Sequence, residues 1–217
     1  MECPFRKTPR WTRRKEARPQ ELLAAALDLF VERGYAATRL EDVASRAGVS
    51  KGTLYLYFTN KEELFKAVVR ENVVPVLGEA ETLVGAHQGS SAELFREIIH
   101  GWWERIGNTK LSGITKLIMA ESSNFPELTR FYHDEVISRG NAMIMRMLER
   151  GIARGEFRPI DVKQAMNIVC APMLMLIMWK HSFSSCESEP ISVDAYLDSF
   201  TDLLLHGLLT GDAVAAK

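Results

Sequence analysis

Cysteine is scarce: three residues (Cys3, Cys170, Cys186) are scattered over 217, with no CxxC pair and no histidine at ligand spacing. So sparse and odd a set excludes a disulfide framework and a zinc site, and it suits a reducing compartment such as the cytoplasm. Long hydrophobic runs are missing as well. The most apolar stretch, Ile168 to Trp179, is 12 residues long, where a bilayer requires about 20, so a buried helix and no membrane partner are expected. The basic N-terminus has no apolar h-region and does not read as a signal peptide. There is no GxSxG elbow, no HExxH and no phosphate-binding glycine loop, which leaves hydrolase, zincin and nucleotide chemistry without a carrier. The one dense titratable cluster, His133-Asp134-Glu135, points its side chains different ways on a helix and reads as a solvated face. No enzyme activity, cofactor or metal is expected. Repeats, low-complexity tracts and convincing strand alternation are absent too.

What is present is charge asymmetry and helical periodicity. Residues 1–70 carry 14 Lys and Arg against 9 Asp and Glu, and the remainder carries 13 against 19. A basic head on an acidic body suits a protein whose N-terminal part meets a polyanion. Residues 1–17 are polar and basic without period, a flexible arm suited to phosphate contacts or to solubility. Pro19 opens a helix striped by Leu22, Leu23, Ala26, Leu27, Phe30 and Val31 and stopped at Gly34. Thr38 and Glu41 have capping-box spacing for a second helix with Leu40, Val43, Ala44 and Ala47 on one face. Gly48 ends it, Ser50 caps a third, and Asn60 to Glu63 is a capping box for a fourth. Longer helices follow, starting at Ser90, near Leu111, at Asn124, at Asp161 (running to about Phe183 with a kink at Pro172) and at Ser192. The fold class expected is all-α: an N-terminal three-helix helix-turn-helix domain (18–78, the motif about 41–60) joined to a larger helical bundle (79–217).

Two short helices joined by Ala47-Gly48-Val49-Ser50 form a helix-turn-helix, whose second helix enters the DNA major groove. With Leu54 and Phe58 turned to the core, Gly52 and Leu56 point outward, flanked by Thr53 and Tyr55. An outward Leu56 can meet a thymine methyl, Lys51 and Thr53 can reach base edges, and Gly52 permits close approach. Tyr57 and Lys61 are placed to grip phosphates, and Thr38 and Arg39 are grouped with this DNA-binding set. The segments Gly34-Tyr-Ala-Ala-Thr38, Ala47 through Phe58 and Asn60-Lys-Glu-Glu-Leu64 together resemble the TetR family of bacterial regulators over roughly residues 18–78. The resemblance implies a homodimer, a C-terminal effector-binding domain and repression relieved by a small molecule. It carries the family's DNA-contact positions onto Lys51, Gly52, Thr53, Tyr55, Leu56, Tyr57 and Lys61.

For the body, aromatic and methionine clusters point to a mostly apolar or aromatic effector, because thioethers line adaptable cavities. Trp102, Trp103, Met119, Phe131, Met143, Met147 and Met173 are the expected lining, with ordinary core packing as the plain alternative. The last two helices are apolar around much of their circumference, which requires deep burial or a partner. Met175, Trp179, Phe200, Leu204 and Leu208 are the expected dimer contacts in a four-helix interface about a twofold axis. That symmetry matches a palindromic operator on double-stranded DNA. The helix from Lys61 to about Gly85, bendable at Pro75 and Gly78, is the expected lever between effector and head. An activator of the same fold, or a helical ligand-binding protein or enzyme with a structural head, remain alternatives.

Overall fold

A computed structural model describes residues 18–186 and 191–209. The basic arm 1–17 and the tail from 210 lie outside the described residues. Among those described there is no β-strand, only an isolated bridge between Phe157 and Leu209. The helices are α1 (Arg18–Ala37), α2 (Leu40–Arg46), α3 (Lys51–Tyr55), α4 (Lys61–Asn72), α5 (Val74–Ala86), α6 (Ser91–Trp102), α7 (Ser112–Glu121), α8 (Pro126–Tyr132), α9 (Ser138–Ala153), α10 (Val162–Met178) and α11 (Val193–Leu208). Wider π-helical turns extend three of them, at Trp103–Gly107, His133–Ile137 and Trp179–Phe183.

Local chemistry explains most helix starts. The Ser50, Asn60 and Asp161 side chains each accept a hydrogen bond from the backbone N–H three residues on, and Ser90 with Glu93 closes a complete capping box. Other expected caps differ, Ser192 among them, which precedes α11 without a side-chain bond. Thr38 is 1% exposed and its hydroxyl donates back to the carbonyls of Gly34 and Leu29, so Arg39 takes the N-cap position of α2 without a side-chain cap. At Asn60, Glu63 reaches the N–H and hydroxyl of Thr59 instead of completing the box. Asn124 does not cap α8, which starts at Pro126 after Phe125.

The apolar residues condense into two cores. One joins α1–α4 to α7 and α8 through Leu22, Phe30, Leu54, Phe65, Ile114 and Leu128. The other joins α6, α9, α10 and α11 through Phe95, Met147, Phe157, Met173, Leu197 and Phe200. The reading head is thus packed directly on α7. At Gly113 a Cβ would lie 2.7 Å from the Val31 methyls, so only glycine lets α1 and α7 approach so closely. The expected continuous lever is broken at Val73: α4 ends there and α5 starts with Pro75 in its first turn. Pro75 lacks the N–H that an uninterrupted helix would need at that point. Gly78, by contrast, lies inside an unbroken α5. The last apolar stretch is longer than the sequence run suggested. Val162–Phe183 is 22 residues of helix, long and apolar enough by length and composition to cross a membrane. Its Met166, Val169, Met173 and Leu176 are nevertheless buried in the second core, and Ile177 is fully buried as well.

Candidate DNA-reading head and effector cavity

The head's geometry is set by the turn between α2 and α3. Gly48 adopts φ +67°, a left-handed conformation that a side chain would strain, and Val49 N donates back to Ala44 O at 2.9 Å. The chain then re-enters helix at Ser50, whose Oγ accepts from Thr53 N at 3.1 Å and lies 2.9 Å from Thr53 Oγ1. Leu54 is 0% exposed and Phe58 is buried, so α3 is anchored on one side. Its other side is open: Leu56 is 82% exposed, with Lys51, Gly52, Tyr55 and Tyr57 also exposed and Thr53 half-exposed beside them. Leu56 stands just past the end of α3, beside the exposed rings of Tyr55 and Tyr57, and belongs to neither core.

Lys51 forms an ion pair with Glu41 and lies 5.7 Å from the Tyr55 ring. The pair holds the Glu41 carboxyl below its ordinary value and the Lys51 ammonium above its own. Both side chains are well exposed, so the bond is weak and readily exchanged for another acceptor. Arg39 is exposed at the start of α2. Two expected DNA contacts are turned inward instead. Thr38 is buried, as described. Lys61 Nζ donates to the carbonyls of Tyr35 (2.7 Å) and Ala36 (3.1 Å) and lies 4.4 Å from the Tyr35 ring, tying α4 to the end of α1. Desolvation there lowers the Lys61 pKa. Lys61→Met keeps the stem and deletes both bonds. It is expected to lower folding stability by about 1–2 kcal/mol, read as a fall in the thermal midpoint, while the salt dependence of DNA binding stays as in the parent.

The body contains a cavity of about 480 Å³ walled by α5, α6 with its π turn, α7, α8 and α9. It lies on the seam between the two cores: Val73, Ile106 and Tyr132 belong to the first, Ile98 and Met143 to the second. Leu77, Ala80, Leu83 and Trp102 complete its apolar wall. Of the expected lining, Trp102 and Met143 are on it. Trp103, Met147 and Met173 are side chains of the second core, Phe131 is buried in the first beneath Lys66 and Arg70, and Met119 faces outward. The correction has a simple cause: adjacent residues on a helix are rotated by about 100°, so Trp102 opens on the cavity while Trp103 packs away from it. The polar residues of the wall escaped sequence reasoning. Thr115 and Tyr132 share a hydrogen bond of 3.0 Å, and burial raises the Tyr132 pKa. Neither carries a sequence pattern that would have marked it.

The expected dimer contacts divide similarly. Phe200 and Leu208 are buried within the second core, Phe200 against Phe95 at 6.5 Å between centroids, because α11 turns that stripe onto α6. Trp179 is half-buried against Phe183, Leu204 is half-buried and Met175 is exposed. The open apolar face of α10 and α11 is made by Ile168, Leu174, Met175 and Leu203, the last 75% exposed. Elsewhere, Glu135 of the acidic cluster pairs with Arg70 at 2.7 Å, and burial raises the Cys170 thiol's pKa.

An anchored helix with an outward reading face, on a helical body that holds an apolar cavity, defines a ligand-responsive DNA-binding transcriptional regulator. Comparison with known proteins supplies the family. The model described as bacterial regulatory proteins, tetR family, matches residues 22–68, and the tetracyclin repressor-like C-terminal domain matches 86–184. The chain belongs to the tetR family. It is 28% identical over 196 residues to the HTH-type transcriptional repressor KstR2 of Rhodococcus jostii (89% of this chain, 92% of that protein). It is 27% identical over 158 residues to the fatty acid metabolism regulator protein of Bacillus subtilis (71% and 80%). The fold matches that of Bacillus subtilis FadR in complex with stearoyl-CoA, with TM-score 0.74 and 22% identity over 87% of this chain and 98% of that one.

Proposed function

We propose that the protein is a cytoplasmic repressor that binds a palindromic operator as a homodimer and is released when a small, mainly apolar effector fills the cavity. The observation that carries the DNA reading is the α3 surface: Leu54 wholly buried, Leu56 almost wholly exposed. Lys51, Thr53 and Leu56 read bases, Gly52 gives close approach, and Tyr55, Tyr57 and Arg39 grip the backbone. The open face of α10 and α11 is covered by the same face of a second copy, giving a twofold pair with heads about 34–36 Å apart on successive major grooves. Leu203→Glu is expected to convert a dimer into a monomer in sedimentation at micromolar concentration, with the monomer losing the palindrome.

Release follows from the position of the cavity. Val73, where α4 and α5 part, is on its wall, as are Tyr132 and Val136, which precede and belong to the π turn whose Glu135 holds Arg70 of α4. Filling the seam spreads the two cores and swings α4 with the head, which favours a dimer spaced wrongly for the operator. The test is an operator gel shift with and without apolar compounds that raise the thermal midpoint. Ala80→Trp, which fills the cavity from α5, is expected to hold the operator with parental or altered affinity but to lose at least tenfold of the response to any such compound. An unchanged response would place the effector elsewhere.

A further inference from the structure

We infer that Glu41 is a further base-reading residue, and that Glu41 and Lys51 together recognise one G·C pair. The carboxylate takes the cytosine amine while the ammonium takes the guanine, which rests on Lys51 being a reader of bases. The first turn of α2 carries two acids, Glu41 and Asp42, and they are turned apart. Asp42 Oδ2 is held by Arg33 of α1 at 3.1 Å. Glu41 instead forms an ion pair with Lys51, the first residue of α3. It thereby adds a half-exposed carboxylate to the surface that Lys51, Gly52 and Tyr55 present to solvent. The Lys51 ammonium also lies 5.7 Å from the Tyr55 ring, so the pair lies against the side of α3 that carries Tyr55. Lys51 and its own backbone N–H hold the Glu41 carboxyl below the usual range, so it meets DNA ionised.

An acid on a surface that meets a polyanion is repelled unless it finds a donor. In the major groove, guanine offers its ring nitrogen and carbonyl oxygen as adjacent acceptors, and cytosine offers its amine as a donor. That carbonyl and that amine are hydrogen-bonded to each other across the base pair, hence about 2.7–3.2 Å apart. An ammonium and a carboxylate in direct contact present a donor and an acceptor at the same spacing. The ammonium has three N–H groups, so it can keep Glu41 while donating to guanine, and the carboxylate has acceptor positions left for the amine. An A·T pair also sets a donor beside an acceptor, but it gives the ammonium one acceptor where guanine gives two adjacent ones. A lone lysine is a point charge that takes any phosphate as readily as a base. Glu41 brings a like charge to those phosphates, which weakens binding to every sequence that leaves the carboxylate unmatched.

The experiment starts from the half-site that the full-length protein enriches out of a random DNA library, which should contain a fixed G·C pair. At each G·C pair in turn, guanine is replaced by 7-deazaguanine, which lacks the ring-nitrogen acceptor, or cytosine by 2-pyrimidinone, which lacks the amine. Binding is read by fluorescence anisotropy at about 0.1 M salt. At one pair the parent should lose about fivefold on the first replacement and about tenfold on the second. Glu41→Ala should erase the amine penalty, keep the deazaguanine penalty, and bind an unrelated duplex about twofold more tightly than the parent. Lys51→Ala should erase the deazaguanine penalty. Both side chains are exposed, so both variants should melt within a degree or two of the parent. A parent indifferent to the missing amine at every pair, or an amine penalty that survives Glu41→Ala, would overturn the inference and leave Lys51 as a reader. Loss of both penalties in Glu41→Ala would make Glu41 a residue that only positions Lys51, and would overturn it too. Indifference to deazaguanine at every pair would instead remove the reading of Lys51, and with it the joint recognition of guanine and cytosine.

Discussion

Leu56→Glu is expected to abolish sequence-specific DNA binding, by at least a hundredfold in Kd, about 3 kcal/mol, and to leave the thermal midpoint within a degree or two of the parent. The side chain is 82% exposed and lies outside both cores, so no packing is lost in the free protein. On DNA the substitution removes an apolar contact and brings a carboxylate among phosphates and base edges that present mostly acceptors. Gel shift and differential scanning calorimetry on the same preparation separate these effects. A variant that binds normally would show that α3 presents some other face to the groove. One that unfolds would show that Leu56 packs against something in the full chain.

Phe65→Ala is expected to have the opposite signature: about 3–5 kcal/mol of lost stability, seen as an early denaturant midpoint, with DNA binding failing only because the head unfolds. Phe65 is fully buried and meets Phe30 at 5.4 Å and Tyr35 at 5.7 Å, both in edge-to-face geometry. Tyr35 in turn packs on Phe125 at 4.7 Å, just before α8. This aromatic chain runs from α4 through α1 into the body, and burial pushes the Tyr35 phenol up to about 12. Because the first core spans α1–α4, α7 and α8, loosening at Phe65 should melt α7 and α8 together with the head. Hydrogen exchange reads this directly: amides of α7 should lose protection in Phe65→Ala alongside those of α1. Protection retained in α7 would mean that head and body unfold separately.

The reading head was legible because its determinants are local. Ser50 caps α3 by accepting from the Thr53 N–H three residues on, Gly48 marks the turn, and the Leu54/Leu56 contrast is a helical wheel over three positions. Thr38 and Lys61 misled for the same reason. Both have the spacing and chemistry of surface groups, and only the path of α1, which brings the Tyr35 and Ala36 carbonyls beside Lys61, turns them inward. In the body the periodicity located helices but could not decide which apolar stripe faces a cavity and which a core. Met147 and Met173 resemble Met143 in every local respect, yet Met143 alone reaches the seam. Phe200 and Leu208 resemble Leu203 as members of one wide apolar band, yet the first two are buried in the second core, Phe200 against Phe95 of α6, and Leu203 stays exposed. The cavity's polar members, Thr115, Tyr132 and Glu104, come from three separate elements, so no spacing in the sequence joins them.

The outward α3 surface is tested most directly by selecting binding sites for the full-length protein from a random DNA library and footprinting the enriched site. The account predicts a palindrome protected over two successive major grooves, with binding that weakens as salt rises and is lost in Leu56→Glu but kept in Lys61→Met. Enrichment of no sequence, or protection by Leu56→Glu equal to the parent's, would contradict it.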